Sequence, residues 1–188
     1  MKIGVFGGRF DPVHIGHLIL AQDVLEHAKL DKILFLLSYS PPHKNAILSY
    51  ENRLKLLDAA LEKEAFFETC TIEKTLNLKK AYTAIVLEEL SKKMPHDDLY
   101  FIMGEDQFMN LSSWYMPHKI FEFARVIVLK RYKGKMQSDF SDDVLYVNRR
   151  IIEISSTEIR ERIKKGLPIT YLVPQKVEEI IKREGFYK

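Results

Sequence analysis

The sequence predicts an α/β fold: a mainly parallel sheet flanked by helices, in a single domain spanning residues 1–188. Three observations predict it. Short apolar runs alternate with longer segments whose apolar residues fall at helical spacing, the pattern of strand–helix–strand units. One run, "KILFLLS" at 32–38, is apolar throughout, as a strand buried on both faces of a parallel sheet must be. The chain has 188 residues, 46% of them hydrophobic and 29% charged, enough for one sizeable core.

Along the chain, "KIGVFG" (2–7) is a strand ending in glycine. In "HIGHLILAQDVLEHAKL" (14–30), Leu18, Ala21, Val24, Leu25 and Ala28 mark one face of a helix. "KILFLLS" is the second strand, and "SPPHK" after it is a loop, since consecutive prolines continue neither element. A helix is expected over "SYENRLKLLDAALEKE" (49–64), with Ser49 and Arg53 near its start. A third strand is expected over "FFETCTIEK" (66–74), a helix over "AYTAIVLEELSKKM" (81–94) and a fourth strand over "DLYFIMG" (98–104). A loop and short helix run through "SSWYMPHKIFEF" (112–123), followed by a fifth strand, "ARVIVLKR" (124–131). The polar stretch "YKGKMQSDFSDD" (132–143) is the expected mobile loop, and "NRRIIEIS" (148–155) the expected sixth strand. A small helical part closes the chain around 155–188, with helices over "SSTEIRERIKKG" and "PQKVEEIIKREG".

Composition narrows the function classes. No stretch approaches the ~20 apolar residues of a membrane span, and the N-terminus lacks a run of signal-peptide length, so a cytoplasmic protein is expected. The lone Cys70 cannot form an internal disulfide and sits where a small buried strand residue would. The net charge of +3 suits an anionic small molecule. Basic residues are spread among acids and form no aromatic-interleaved stretch, so nucleic acid is not an expected partner.

In parallel sheets ligands bind beyond the carboxyl ends of the strands. The residues collected there are "GGRFDPVHIGH", "SYSPPHK", "GEDQF", "KRYKGK" and "SSTEIR". In the first, Gly7 and Gly8 let backbone amides approach a ligand, and the following helix offers its positive end to an anion. Neither the G-x-G-x-x-G nor the G-x-x-x-x-G-K-[ST] phosphate loop is present. His14 and His17 project to one side if the helix starts near them. As zinc ligands they lack partners and H-E-x-x-H spacing, and Asp11, in a Phe-Asp-Pro turn, is expected to bond neighbouring backbone instead. Ser155 and Glu158 have capping-box spacing, which starts a helix at 156 and leaves Ser156, Thr157 and Arg160 to face polyphosphate.

Together "GGRFDPVHIGH" and "ISSTEIR" resemble the nucleotidyltransferases whose signature is H-x-G-H. The stretches "PPHK", "YTA" (82–84), "GEDQFMNLSSWY" and "YLVPQKVEEIIKREGFY" narrow the likeness to bacterial nicotinate-nucleotide adenylyltransferases, in consistent order from Ile3 to Tyr187. The resemblance implies a Rossmann-like, doubly wound sheet and transfer of AMP from ATP to nicotinic acid mononucleotide, giving deamido-NAD and pyrophosphate. It implies that His14 and His17 are catalytic and touch the ATP phosphates, that Gly8 and Phe10 offer backbone amides, and that Ser155, Thr157 and Arg160 hold the outer phosphates. Gly104 and Asp106 fall at positions around ribose and adenine, Thr83, Trp114 and Tyr115 at the nicotinate end, and Lys44 beside the phosphates. The only tryptophan offers a flat surface for a pyridine ring, or else a core or lid aromatic. Asp106 could instead cap the turn that follows it. Mg²⁺ would be carried by the ATP phosphates, with no protein metal site. Arg9 stands where many relatives have Ser or Thr, and its role is open. Of the other histidines, His43 lies in the second loop, while His27, His96 and His118 are expected at the surface. The alternatives are adenylyl transfer to nicotinamide mononucleotide or phosphopantetheine, cytidylyl transfer to glycerol phosphate, and a non-catalytic ATP-binding module. A homo-oligomer is compatible with all of them.

Overall fold

In the computed structural model, which describes residues 1–39, 46–77, 81–130, 140, 144–147 and 150–188, period-two burial organises the sheet. Strands β1 (Lys2–Gly8), β2 (Lys32–Leu37), β3 (Phe67–Cys70), β4 (Asp98–Gly104), β5 (Arg125–Leu129) and β6 (Val144–Val147) form one sheet in the order β3-β2-β1-β4-β5-β6. Every pairing is parallel. Alternate residues feed opposite faces. Phe6, Ile33, Phe35, Leu37, Ile102 and Ile127 join one apolar cluster, whereas Ile3, Val5, Leu34, Leu36, Phe101, Met103 and Val128 join the other. Both faces are therefore covered, and each fully buried Leu, Ile or Phe contributes about 1.5–3 kcal/mol relative to exposure.

Helices α1 (Ile15–His27), α2 (Tyr50–Leu61), α7 (Ser156–Lys164) and α8 (Gln175–Glu184) supply the first face through Val24, Leu57, Ile159 and Ile181. Helices α3 (Ile72–Leu76), α4 (Thr83–Lys93), α5 (Glu105–Met109) and α6 (Pro117–Phe123) supply the second through Ile72, Leu87, Phe108 and Ile120. The chain moves outward from β1 to β3, then crosses back to lay β4 beside β1. This reversal is the switch point of a doubly wound sheet, and it sets the carboxyl ends of β1 and β4, at Gly8 and Gly104, at one crevice.

Two expectations are corrected. The third strand stops at Cys70 and the chain turns into α3, because Ile72 rotates onto the α4 face instead of continuing the alternation. The sixth strand is Val144–Val147; residues 150–155 make no ladder, although Ile151 to Ser155 alternate in exposure as a strand would. A three-residue 3₁₀ turn, Leu111–Ser113, and α5 fill the region before the expected short helix. The expected mobile loop at 132–143 lies, apart from Phe140, outside the described residues. Among the described residues no helix is long and apolar enough to cross a membrane.

Candidate active site

The carbonyls of the loop after β1 are engaged by donors from other parts of the chain. Gly8 O accepts from Ser38 N at 3.0 Å, at the end of β2. Arg9 O accepts from Arg53 Nη1 at 2.8 Å, Asp11 O from Arg160 Nη1 at 2.7 Å, and Pro12 O from Ser156 Oγ at 2.8 Å. Four of the loop's acceptors are thus occupied by donors from three other parts of the chain. An anion meeting this loop would meet amide N–H groups and few competing oxygens.

Asp11, only 3% exposed, does hydrogen-bond backbone, but of a distant segment: its carboxylate accepts from Ile47 N at 2.6 Å and Leu48 N at 3.4 Å. The Tyr187 hydroxyl donates to the same carboxylate at 2.7 Å. Phe10 takes a positive φ of 46° and buries its ring against Phe6, Phe35 and His17. A Cβ at Gly8 would lie 2.8 Å from that ring, so the turn has no room for a side chain there.

His14 caps the amino end of α1 and His17 lies one turn on. Their rings stack, with centroids 3.6 Å apart and planes 23° from parallel. The His14 backbone N–H donates to His17 Nδ1 at 3.2 Å, which leaves the proton of a neutral His17 on Nε2. Burial pushes the His14 imidazole down to about 4; burial, and then the adjacent His14, hold His17 well below the ordinary histidine range. His14 Nδ1 is buried without a hydrogen-bond partner.

The amino end of α7 meets the loop that leads to this pair, through Ser156 on Pro12 O and Arg160 on Asp11 O. Ser155 is its N-cap, accepting from Glu158 N at 3.1 Å as its spacing requires. Arg160 Nη2 donates to Thr157 Oγ1 at 3.1 Å while Nη1 holds Asp11 O, so the guanidinium bridges the two motifs and keeps further N–H donors in reserve. The extended segment 150–155 packs on α1, where Gly16 makes room: a Cβ there would sit 3.0 Å from both His14 Nδ1 and Ile152 Cγ2. On the same helix the buried Asp23 pairs with Arg150 at 3.0 Å.

At the far side of the crevice Gly104 ends β4 and occupies the N-cap position of α5. A Cβ at Gly104 would meet nothing within 4 Å, and Asp106 is exposed beside it. Thr83 opens α4. Tyr82, just before it, stacks on Tyr115 at 4.4 Å and 27°. Trp114 is half-buried with its edge toward Phe101 at 6.4 Å. Thr83 and Tyr115 therefore converge through Tyr82. Lys44 and His43 lie outside the described residues. His27, His96 and His118 are exposed.

Sequence reasoning missed three groups: Arg53 and Tyr187, which hold the loop, and Glu73, which holds the Tyr39 amide beyond β2. Arg53 leaves a signal, a cation on the apolar face of α2 between Tyr50 and Leu57. Glu73 and Tyr187 leave none locally, because their partners Tyr39 and Asp11 lie 34 and 176 residues away.

Residues 5–162 match the profile of the family described as cytidylyltransferase-like. The whole chain aligns at 40% identity with 98% of a Hydrogenobaculum protein named "Probable nicotinate-nucleotide adenylyltransferase", and at 37% with 99% of a Clostridium tetani protein of the same name. The chain belongs to the nicotinate-nucleotide adenylyltransferase family. A solved structure of this kind, the Plasmodium falciparum nicotinic acid mononucleotide adenylyltransferase complexed with NaAD, shares the fold at a TM-score of 0.81 and 17% identity, over 99% of this chain and 97% of that one. The stacked histidines and the α7 terminus both adjoin the loop that leaves β1, and ligands of doubly wound sheets bind beyond the carboxyl ends of the strands.

Proposed function

We infer that the protein transfers AMP from ATP to nicotinic acid mononucleotide, forming deamido-NAD and releasing pyrophosphate, a step of NAD biosynthesis. The observation that carries this reading is the pair of stacked, neutral histidines and the amino end of α7, both adjoining a loop whose carbonyls are already bonded, in a chain aligned end to end with relatives of that name.

In this reaction an oxygen of the acceptor's phosphate attacks the α-phosphorus of ATP; that P–O bond forms as the bond to the β-phosphate oxygen breaks, and the electron pair leaves with pyrophosphate. The attacking phosphate is already ionised, so no general base is needed. What remains is alignment and stabilisation of charge on the leaving oxygens. His17 offers its Nε2–H, and His14 lies stacked on it at the helix terminus. Amides of Gly8 and Phe10, the α7 end with Ser155 and Thr157, and the free donors of Arg160 bind the phosphates. Gly104 leaves space for ribose and Asp106 for a hydroxyl or adenine contact; Thr83, Trp114 and Tyr115 receive the pyridine ring, and Lys44 adds a cation near the phosphates.

Nucleotidyl transfer from ATP in this family uses a divalent metal, and we assign Mg²⁺ as the ion. Among the described residues no group of three or more His, Cys, Asp or Glu gathers to hold a metal. Mg²⁺ would be supplied with ATP, on phosphate oxygens and water, and its charge would offset that of the phosphates. The donor set on the protein is made of N–H and hydroxyl groups, which suits the anion and not the cation.

Pyrophosphate release with MgATP is the test, using nicotinic acid mononucleotide, its amide and phosphopantetheine in turn. The acid is expected to react fastest. Faster turnover of the amide overturns the substrate assignment, and no release with any acceptor overturns the enzyme reading.

A further inference from the structure

A buried carboxylate that the mechanism does not use sits where the chain leaves β2. Glu73, on α3 and 6% exposed, accepts from the Tyr39 backbone N–H at 2.8 Å. The preceding residue, Ser38, donates its own N–H to Gly8 O. One carboxylate thus holds the backbone next to the point where β2 buttresses the phosphate loop. Residues 40–45 follow directly, and the chain returns from them at Ile47 and Leu48, whose amides are held by the other buried carboxylate, Asp11. Both ends of this connection are fixed by buried acids.

We propose that Glu73 is a positioning residue for ATP: by holding the Tyr39 amide from α3 it fixes the exit of β2, and through Ser38 the Gly8 edge of the phosphate loop. It touches no substrate and acts only through backbone. Its surroundings make the hold sensitive to charge. From α2 it faces Arg53, which favours the ionised carboxylate, and Tyr50, whose hydroxyl is buried without a partner and is raised to about 12 by burial and then by Glu73 itself. From the end of β3 it faces Cys70, and the Tyr39 ring packs edge-on to Tyr50 at 5.2 Å. On its own helix Lys74 turns to the Tyr50 ring and pairs with Glu51 at 3.0 Å. On α4, Glu88 and Glu89 pair with Lys92, and Lys93 bears on Cys70. Burial dominates and raises the Glu73 carboxyl to about 7, so its charge changes within the working range of an ordinary cell.

The inference rests on the adenylyl-transfer reading only for its kinetic arm; a spectroscopic arm is independent of it. By NMR the Tyr39 amide proton should titrate with a midpoint near 7 in the wild type and stay flat in Glu73→Gln, which keeps an oxygen acceptor and loses the charge. In steady-state pyrophosphate release, the wild-type KM for ATP should rise about threefold to tenfold from pH 8 to pH 6 at nearly constant kcat, the size expected for a coupling through packed groups. Glu73→Gln should lose that part of the rise, keeping only what the titrations of the ATP phosphates and of the His14–His17 pair give both proteins. Glu73→Leu should carry the raised KM at every pH. If the leucine variant does not fold, the glutamine variant and the amide titration still decide. A leucine variant that folds and keeps the wild-type KM for ATP at every pH, or a Tyr39 amide resonance that Glu73→Gln leaves unmoved, overturns the proposal. Titration of the amide without turnover of any acceptor leaves the Glu73 contact standing and removes the enzyme reading.

Discussion

His14 and His17 stand at a helix start where water is excluded, so both rings are neutral in the free protein although a polyphosphate site calls for donors. An arriving anion favours the charged ring, so ATP binding should take up protons near pH 6; calorimetry in two buffers of different ionisation enthalpy would read this as a buffer-dependent heat, and equal heats would refute it. The same shift sets a stability trend. A histidine whose folded pKa lies near 4 against 6.5 unfolded binds fewer protons when folded, so stability is full above 6.5 and is lost as pH falls toward 4. The acid side of the melting profile should therefore be shallower in His14→Gln than in the wild type. Glu73 runs the opposite way: raised to about 7 from 4.5, it withdraws stability as pH rises through that window. For catalysis, His17→Ala should lower kcat by ~10² or more with the fold intact, the size of one lost charge-stabilising donor. Near-normal kcat would remove His17 from the mechanism. The histidine pair was legible in the sequence because three-residue spacing at a helix start is local; the tautomer was not, because it depends on where the helix begins.

At the scale of elements, α1 and the segment before α7 approach closely only because position 16 has no side chain. Gly→Ala in a helix ordinarily adds up to about 1 kcal/mol of stability. Gly16→Ala should do the reverse, lowering the melting temperature and cutting kcat/KM about tenfold or more, since its Cβ would press on His14 and Ile152 together. A stabilised, fully active variant would show that the segment yields easily. The same segment is where the sequence misled. "NRRIIEIS" alternates as a strand does, yet Ile152 packs on α1 and Arg150 is drawn to Asp23, so the run is spent on joining two helices and the ladder ends at Val147. "FFETCTIEK" misled for a related reason: alternation over a few residues does not say where a strand stops being paired.

Across the whole molecule, the penultimate residue reaches the first loop. The Tyr187 hydroxyl donates to the buried Asp11 carboxylate, and its pKa is driven up by burial and by that neighbouring charge. Tyr187→Phe should cost about 1–2 kcal/mol, a hydrogen bond to a charged group with the ring still packed, seen as a melting temperature several degrees lower; an unchanged melt would mean that water replaces the hydroxyl freely. What the sequence by itself determined is the alternation of strands and helices as far as β5, the parallel sheet and the two motifs that follow β1 and open α7, because apolar periodicity, capping pairs and turn residues are written over a few neighbouring positions. Only the tertiary structure decided how the loop between them is held. Arg53, Arg160, Ser156, Asp11 and Tyr187 meet there from positions up to 176 residues apart, and hydrogen bonds over such separations leave no period in a chain.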